Sequence, residues 1–233
     1  MTMVAGADGY QGGWVLAIQD TITKSLSWDV VPTISEVFHR HPDVQLLAID
    51  IPIGLLERGS RECDVLVRRH LGAIRGSSVF PAPIRPLLNA RSHAEASQLG
   101  KRIEGRGLSI QSWAIVPKIR EVDEFLRQHP YYRQIMREVH PEVSFSILHD
   151  APILAPKSKA LGCNIRRDLL ISAFGSSVCE AERDCKIHGA KSDDVLDAFI
   201  ALWSAERIRQ GKHVSFPSNT RPDSFGLRME ILA

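Results

Sequence analysis

Acidic side chains stand at the ends of predicted strands and helices, where they can converge on one point. Asp8 and Asp50 each end an apolar segment, Glu142 follows a third, and Asp194 and Asp197 share one face of a helix. Crowded carboxylates repel one another unless a cation compensates them, and Mg²⁺ or Mn²⁺ takes oxygen ligands. The sequence therefore predicts a Mg²⁺ or Mn²⁺ site. The predicted ligands are Asp8, Asp50 and Asp197, and Asp194 and Glu142 complete the predicted catalytic group.

Each of these residues also has an ordinary structural interpretation. Asp8 precedes a glycine turn and can close an Asx turn. Glu142 and Asp194 fall in the first turns of predicted helices, where the helix dipole favours a negative charge. Asp50 fits such an interpretation less well, because a charge that ends a buried strand needs a partner. Asp197 lies beyond the first helical turn, so the dipole explains it less well too.

Basic residues concentrate in the middle of the chain. Residues 57–120 contain twelve Lys and Arg against five Asp and Glu, a net charge of +7, although the whole chain carries only +2. Such a segment suits an anionic polymer held beside a carboxylate site, and a surface of uneven charge is the alternative. The predicted substrate-binding residues are Lys118, Arg68, Arg69 and His140. Lys118 can equally be a surface lysine, and His140 a hydrogen-bonded structural residue.

The order of predicted elements explains how the carboxylates meet. The first three strands are joined by connections too short for a crossover, which indicates an antiparallel meander. The run VQLLAIDI at 44–51 is almost wholly apolar, as in a strand covered on both faces. We predict one α/β domain over residues 1–233, with a mixed five-stranded sheet of order 3-2-1-4-5 flanked by helices. Residues 57–130 are predicted to be a mostly helical inserted or covering segment.

Local signals mark several helix ends. Thr33 with Glu36, and Ser92 with Glu95, form capping-box patterns. Pro117 is predicted at the first turn of a helix that continues to Arg127. The last helix is predicted from about Asp193 to Gln210, with Ser192 as its cap.

Composition excludes some classes of protein. No apolar run approaches the roughly 18 to 20 residues that span a bilayer, and the N-terminus lacks a signal-peptide pattern. We therefore expect a cytoplasmic protein without a membrane anchor. Cys63, Cys163, Cys179 and Cys185 form no CxxC pair, which favours reduced thiols. A disulfide or shared metal between Cys179 and Cys185 is the alternative.

Seven segments together resemble a known family. They are GADGYQGGW (6–14), IDIPIGL (49–55), RECD (61–64), SSVFPAP (77–83), WAIVPKIREVD (113–123), EVHPEVSF (138–145) and DDVLDAFIALWSAERI (193–208). In this order they resemble the bacterial and archaeal domain of unknown function 429, grouped with predicted RNase H-like nucleases. The resemblance implies an RNase H-like fold whose acidic residues bind metal.

The last segment is also similar to the closing helix of RuvC-type junction resolvases. In those proteins two acidic positions three residues apart precede a small residue, and Asp194 and Asp197 occupy these positions here. Asp8 and Asp50 match the two strand positions, although resolvases of that type carry glutamate where Asp50 stands. The resemblance implies the same carboxylate chemistry.

These observations predict a divalent-metal-dependent nuclease that hydrolyses phosphodiester bonds in DNA or RNA. One alternative is a protein of actin-like ancestry that binds or hydrolyses nucleotide phosphates, in which Asp8 and the glycine turn at 9–13 cradle the phosphates. Another is a non-catalytic binding module. A similar fold does not decide between them, because function depends on the site.

Overall fold

A computed structural model describes residues 2–233. The strands are β1 (Met3–Tyr10), β2 (Gly13–Asp20), β3 (Leu26–Val31), β4 (Val44–Ile49), β5 (Met136–Glu138), β6 (Ser215–Phe216) and β7 (Ile231–Leu232). The helices are α1 (Ile34–Arg40), α2 (Glu62–His70), α3 (Gly72–Arg75), α4 (His93–Glu104), α5 (Ile110–Gln128), α6 (Pro141–Leu148), α7 (Ala160–Phe174), α8 (Ser177–Ile187) and α9 (Ser192–Arg209).

The main sheet has the order β3-β2-β1-β4-β5, as the sequence predicts. β1, β2 and β3 form an antiparallel meander, whereas β1, β4 and β5 run parallel. Ala7 pairs with Ile49, and the backbone N–H of Asp50 donates to the Ala7 carbonyl oxygen at 3.1 Å. Asp8 and Asp50 therefore lie side by side where the parallel pairing of β1 with β4 ends, although β1 itself continues past Asp8 to Tyr10 and does not end at Asp8 as predicted.

Both faces of the sheet are covered, which explains the apolar character of its central strands. α1 and α5 pack on one face, around Trp14, Leu16 and Leu47. α6, α7, α8 and α9 pack on the other, around Val15 and Ala48. The small two-stranded sheet β6–β7 lies beside β5, where Val139 forms a parallel bridge with Leu232.

α9 lies directly against β1 because the contact is made by small residues. A Cβ atom added to Gly6 would overlap the backbone nitrogen of Leu202 and the carbonyl oxygen of Ala198. Ala198 and Ala201 are fully buried on the same side of the helix. This close approach brings the first turns of α9, with Asp197, to the end of β1.

The segment between β4 and β5 holds α2 to α5, and one helix there starts earlier than predicted. α5 begins at Ile110 rather than at Pro117, because the Ser109 hydroxyl accepts a hydrogen bond from the Ser112 N–H at 3.0 Å and caps the helix. Pro117 lies inside α5 at an exposed position. The capping boxes at Thr33 and Ser92 are each confirmed by a hydroxyl that accepts from the glutamate N–H three residues on.

Other sequence predictions at the C-terminal side need correction. The cap of α9 is Lys191, and Ser192 is the first helical residue. The predicted elements also lacked α8 and the β6–β7 pair. The four cysteines are free thiols, as expected. None of the helices in residues 2–233 has the length and apolarity that crossing a membrane requires.

Candidate active site

Three aspartates form the floor of a cavity at the end of the parallel strands. Asp8 lies near the end of β1, two residues before Tyr10, Asp50 follows β4, and Asp197 lies in the second turn of α9. All three line a cavity of about 420 Å³. Asp8 and Asp197 are 9% and 2% exposed, and Asp50 is half-buried. The sheet order and the close packing of α9 thus bring together the three predicted ligands.

The three carboxylates share one electrostatic environment. Burial raises the pKa of Asp8 well above its ordinary value, and the charges of Asp197 and Asp50 raise it further. Burial, followed by the charge of Asp197, raises the pKa of Asp50 to about 8. Burial also raises the pKa of Asp197. The cluster therefore gains stability from any cation placed within it.

Lys157 supplies such a cation from the loop between α6 and α7. Its Nζ donates a hydrogen bond to Asp197 Oδ2 at 2.6 Å and lies 4.0 Å from Asp193 Oδ2. Its positive charge lowers the pKa of Asp8 and Asp50, while Asp197 raises the pKa of Lys157 above its ordinary value. The side chain is 44% exposed, so the ammonium group reaches the cluster from the solvent side.

The donor chemistry fits a divalent cation, but the side chains do not yet form a ligand set. No three His, Cys, Asp or Glu side chains in the described part of the chain are grouped so that they could hold a metal ion. In this arrangement Lys157 engages Asp197, and the metal site predicted at Asp8, Asp50 and Asp197 stays a prediction. Buried carboxylate oxygens from three elements are nonetheless the donors that Mg²⁺ takes. An ion held by all three aspartates would compete with the Lys157 ammonium group for Asp197 Oδ2.

Glu142 lines the cavity but is engaged by arginines. Arg166 Nη2 donates to both carboxylate oxygens, at 2.8 and 2.7 Å, and Arg75 Nη2 lies 2.7 Å from Oε2. Burial alone would raise the pKa of Glu142, but the hydrogen bonds from Arg166 and Arg75 outweigh it and hold that pKa below its ordinary value. The structure gives Glu142 the role of fixing Arg75 in the cavity wall.

Asp194 lies beside the cavity and caps a helix. Its Oδ2 accepts a hydrogen bond from the backbone N–H of Lys191 at 2.7 Å, at the start of α9. Burial raises the pKa of Asp194, and its charge contributes to the raised pKa of Asp8. Asp194 therefore acts on the cluster through charge and through the position of α9, whereas Asp197 lines the cavity itself.

Two of the four predicted substrate-binding residues reach the cavity. Lys118 lines it, with Nζ 4.4 Å from the centroid of the Trp14 ring, and His140 lines it as well. The Nδ1 atom of His140 is buried without a hydrogen-bond partner in residues 2–233, and burial lowers the pKa of His140 to about 4. His140 is therefore neutral near pH 7.

Arg68 and Arg69 do not lie with the aspartates. They line a separate surface depression formed with α3 and the short turn that follows it. Arg68 donates to the carbonyl oxygen of Val79 at 2.9 Å, which holds it against the backbone there. The helical periodicity of α2 turns both arginines outward, away from the cavity of the aspartates, and their predicted role in substrate binding stays a prediction.

The comparison with protein families gives one result. A family model described as "Protein of unknown function (DUF429)" matches residues 6–221. The chain belongs to this family. The matched range contains every residue of the cavity floor and Lys157, so the site lies within the shared region. No curated protein and no solved structure matches the chain.

The basic segment of this DUF429 member has a structural explanation that its sequence did not give. Arg61 binds Glu138 at 2.7 Å, Arg75 binds Glu142, and Arg85 binds Asp123 at 2.7 Å. All three arginines belong to residues 57–120, and all three acids lie outside that range. Part of the net charge of +7 is therefore compensated by acidic residues elsewhere in the fold and is not displayed to a polyanion.

The family motifs IDIPIGL and RECD meet at the cavity wall. Arg61 Nη1 and Nη2 donate to Glu138 Oε2 and Oε1 at 2.8 and 2.7 Å, and the Ile53 N–H donates to Glu138 Oε2 at 2.7 Å. Burial raises the pKa of Glu138 to about 7 although Arg61 lowers it. This network fixes the turn after Asp50 to the end of β5. The signal that could have revealed it was Glu138, a charged residue inside a predicted strand, because a buried charge needs a partner.

Proposed function

We propose that this protein is a divalent-metal-dependent hydrolase of RNase H-like type that cleaves phosphodiester bonds in DNA or RNA. One observation carries the proposal: carboxylates from β1, the end of β4 and α9 converge in one cavity, where the charge of Asp197 raises the pKa of both Asp8 and Asp50 beyond the effect of burial. Such a cluster lowers the stability of the fold, because burying a charge without a partner costs free energy. A divalent cation offsets that cost.

The residues of the cavity have distinct proposed roles. Asp8, Asp50 and Asp197 would hold the cation, which when bound would stabilise the negative charge that develops on the phosphate. Lys118 and Lys157 bring positive charge to the same cavity and would hold the non-bridging phosphate oxygens. His140 lines the same cavity in its neutral form and would add no charge beside the phosphate.

The alternatives make different demands on the same residues. A non-catalytic module would be more stable with amides in place of the buried aspartates, since these would remove the mutual repulsion. In an actin-like phosphate binder the turn between β1 and β2 would hold the nucleotide. Here these strands pair up to Tyr10 and Gly13, which leaves two residues in the turn.

Hydrolysis assays with a matched pair of variants test the proposal. Purified protein is incubated with Mg²⁺ or Mn²⁺ and with single-stranded DNA, duplex DNA and RNA. We expect slow, chelator-sensitive cleavage that Asp50→Asn reduces about 100-fold or more, the scale for losing one contact to developing charge. Asp43→Asn, at an exposed position before β4, should retain it.

Three results would contradict the proposal or redirect it. Equal cleavage by Asp50→Asn and wild type would identify a contaminating nuclease. ATP turnover without cleavage of any oligonucleotide would favour the phosphate-binding alternative. Higher thermal stability of Asp50→Asn, with no activity in either protein, would favour a binding module.

A further inference from the structure

The cavity above the aspartates has one aromatic side chain at its mouth. Phe80 follows the short turn Gly76–Ser78 and lines the cavity, yet it is 49% exposed. Single exposed apolar side chains are common on protein surfaces. Phe80 differs from these because it shares a cavity with three buried carboxylates and with Lys118 and Lys157.

The cavity combines three kinds of lining on different elements. The acidic floor comes from the strand ends and α9, and the cations come from α5 and the α6–α7 loop. Ile115 lies on α5 one turn before Lys118. Together with Val79 and Phe80, it makes the cavity wall that the covering segment contributes apolar. These three kinds of lining match the parts of one nucleotide unit. The apolar surface suits the base, the lysines suit the phosphate, and the carboxylates would hold a cation that binds the phosphodiester.

The size of the cavity limits what can enter it. Its volume of about 420 Å³ lies in the lower part of the range of roughly 300–1,000 Å³ for small-molecule sites. The cavity is bordered by the loop residues Pro156 and Ser158 and by the segment around Phe80. A paired and stacked duplex therefore does not fit into it. An enzyme that acts on a duplex from such a cavity must first extract a nucleotide, which costs least in a single strand.

We infer that the cavity receives one unstacked nucleotide of a single-stranded nucleic acid, whose base stacks on Phe80 while its phosphate meets the lysines above the aspartates. This inference rests on the proposed function and specifies its substrate class. Phe80 is a specificity-determining residue in this account. It selects for a free base face without contributing to the chemistry at the carboxylates.

Binding measured without metal separates this inference from hydrolysis. Fluorescence anisotropy in a chelator compares a labelled fifteen-nucleotide oligothymidylate, an abasic strand of the same length and charge, and a blunt duplex. We expect wild type to prefer the oligothymidylate over both others. Phe80→Ala should weaken oligothymidylate binding by about 5- to 100-fold, the scale for one base–aromatic stack, and leave the abasic strand unchanged.

Two further variants keep the test decisive. Phe80→Trp retains an aromatic face and should bind as well as wild type, and unchanged binding of the abasic strand by Phe80→Ala shows that the alanine variant is folded. Tyr131→Ala removes an aromatic side chain that is 66% exposed and does not line the cavity. It should leave binding unchanged.

The contrary outcomes are equally specific. Duplex binding as tight as that of the single strand would overturn the inference, as would equal affinity of Phe80→Ala and Tyr131→Ala for the oligothymidylate. Base-dependent binding through Phe80 without cleavage of any substrate would keep the inference and reject the proposed hydrolysis. Equal cleavage of single strands and duplexes, unchanged by Phe80→Ala, would support the proposed hydrolysis and reject the inference.

Discussion

At the scale of single residues, Lys157 provides positive charge that partly compensates the carboxylate cluster. Its ammonium group lies 2.6 Å from Asp197 Oδ2 and lowers the pKa of Asp8 and Asp50. It therefore supplies in part the charge that a divalent ion would supply in full. No local pattern pointed to Lys157, because it stands in an irregular loop and its role depends entirely on where α9 brings Asp197.

Lys157→Met removes the cation that competes with a divalent ion. We expect Mn²⁺ affinity to rise by about tenfold, the lower end of the range for changes around a metal site. The metal-free variant should melt at a lower temperature than wild type, because the carboxylates lose a compensating charge. Calorimetric Mn²⁺ titration and thermal melts in a chelator measure the two effects.

Lys159→Met is the matched control for this prediction. Lys159 is exposed and stands two residues later, at the start of α7, so its loss should change neither quantity. Unchanged or weaker Mn²⁺ binding by Lys157→Met would show that Lys157 assists the ion instead of competing with it.

Asp50 also gives the metal-free protein a pH-dependent stability. Its pKa in the folded state is about 8 because of burial and the charge of Asp197, against about 3.9 in an unfolded chain. The folded protein retains a proton that the unfolded chain has released, so the free energy of unfolding should fall as the pH rises from about 4 to about 8. Thermal melts in a chelator across this range should show the fall.

The Asp50→Asn variant isolates the contribution of this group. It should show a smaller fall over the same pH range, and Asp43→Asn should keep the wild-type slope. A wild-type slope in Asp50→Asn would mean that other groups cause the dependence and that Asp50 is ionised in the metal-free fold.

At the scale of elements, the contact between β1 and α9 positions the site. Gly6 permits the backbone of α9 to approach the strand, and the Ser204 hydroxyl donates to Ser144 Oγ at 2.7 Å and joins α9 to α6. The sequence predicted the neighbourhood of Asp8 and Asp50 because a meander followed by parallel strands leaves few arrangements. The sequence also predicted that Asp197 lies near Asp8 and Asp50, because small apolar residues that can pack on the sheet follow it on the same helix.

Gly6→Ala should damage both stability and activity. The added methyl group meets the backbone of α9 at Leu202 and Ala198, which cannot yield as a side chain would. We expect the free energy of unfolding in urea to fall by about 1–3 kcal/mol, the usual cost of overpacking. Activity should fall as well, because Asp197 moves relative to Asp8.

Gly107→Ala serves as the comparison. A methyl group there would clash only with the Ser97 hydroxyl, which can rotate away, and would lie in ordinary contact with the Lys101 side chain. Its stability should stay within about 0.5 kcal/mol of wild type, as for an ordinary surface substitution. A Gly6→Ala protein with wild-type stability would contradict the close packing of α9 on β1.

At the scale of the whole molecule, arginines of the basic segment at 57–120 form ion pairs with acids of other structural elements. Arg61, Arg75 and Arg85 bind acids that lie outside the basic segment, so a charge imbalance visible in the sequence becomes a set of buried ion pairs. Composition could not reveal this, because it does not say which charges meet. The same limit explains why the sequence did not predict that Arg166 and Arg75 engage Glu142, a residue of the predicted catalytic group.

The central claim is that Asp8, Asp50 and Asp197 bind one divalent cation. The most direct test is a crystal structure of the protein soaked in Mn²⁺, with anomalous difference density collected to locate the ion. We predict a peak within roughly 2.5 Å of oxygens from all three aspartates, with the Lys157 ammonium displaced from Asp197. Full Mn²⁺ exposure with no peak in this cavity, and with Lys157 still bound to Asp197, would contradict the claim.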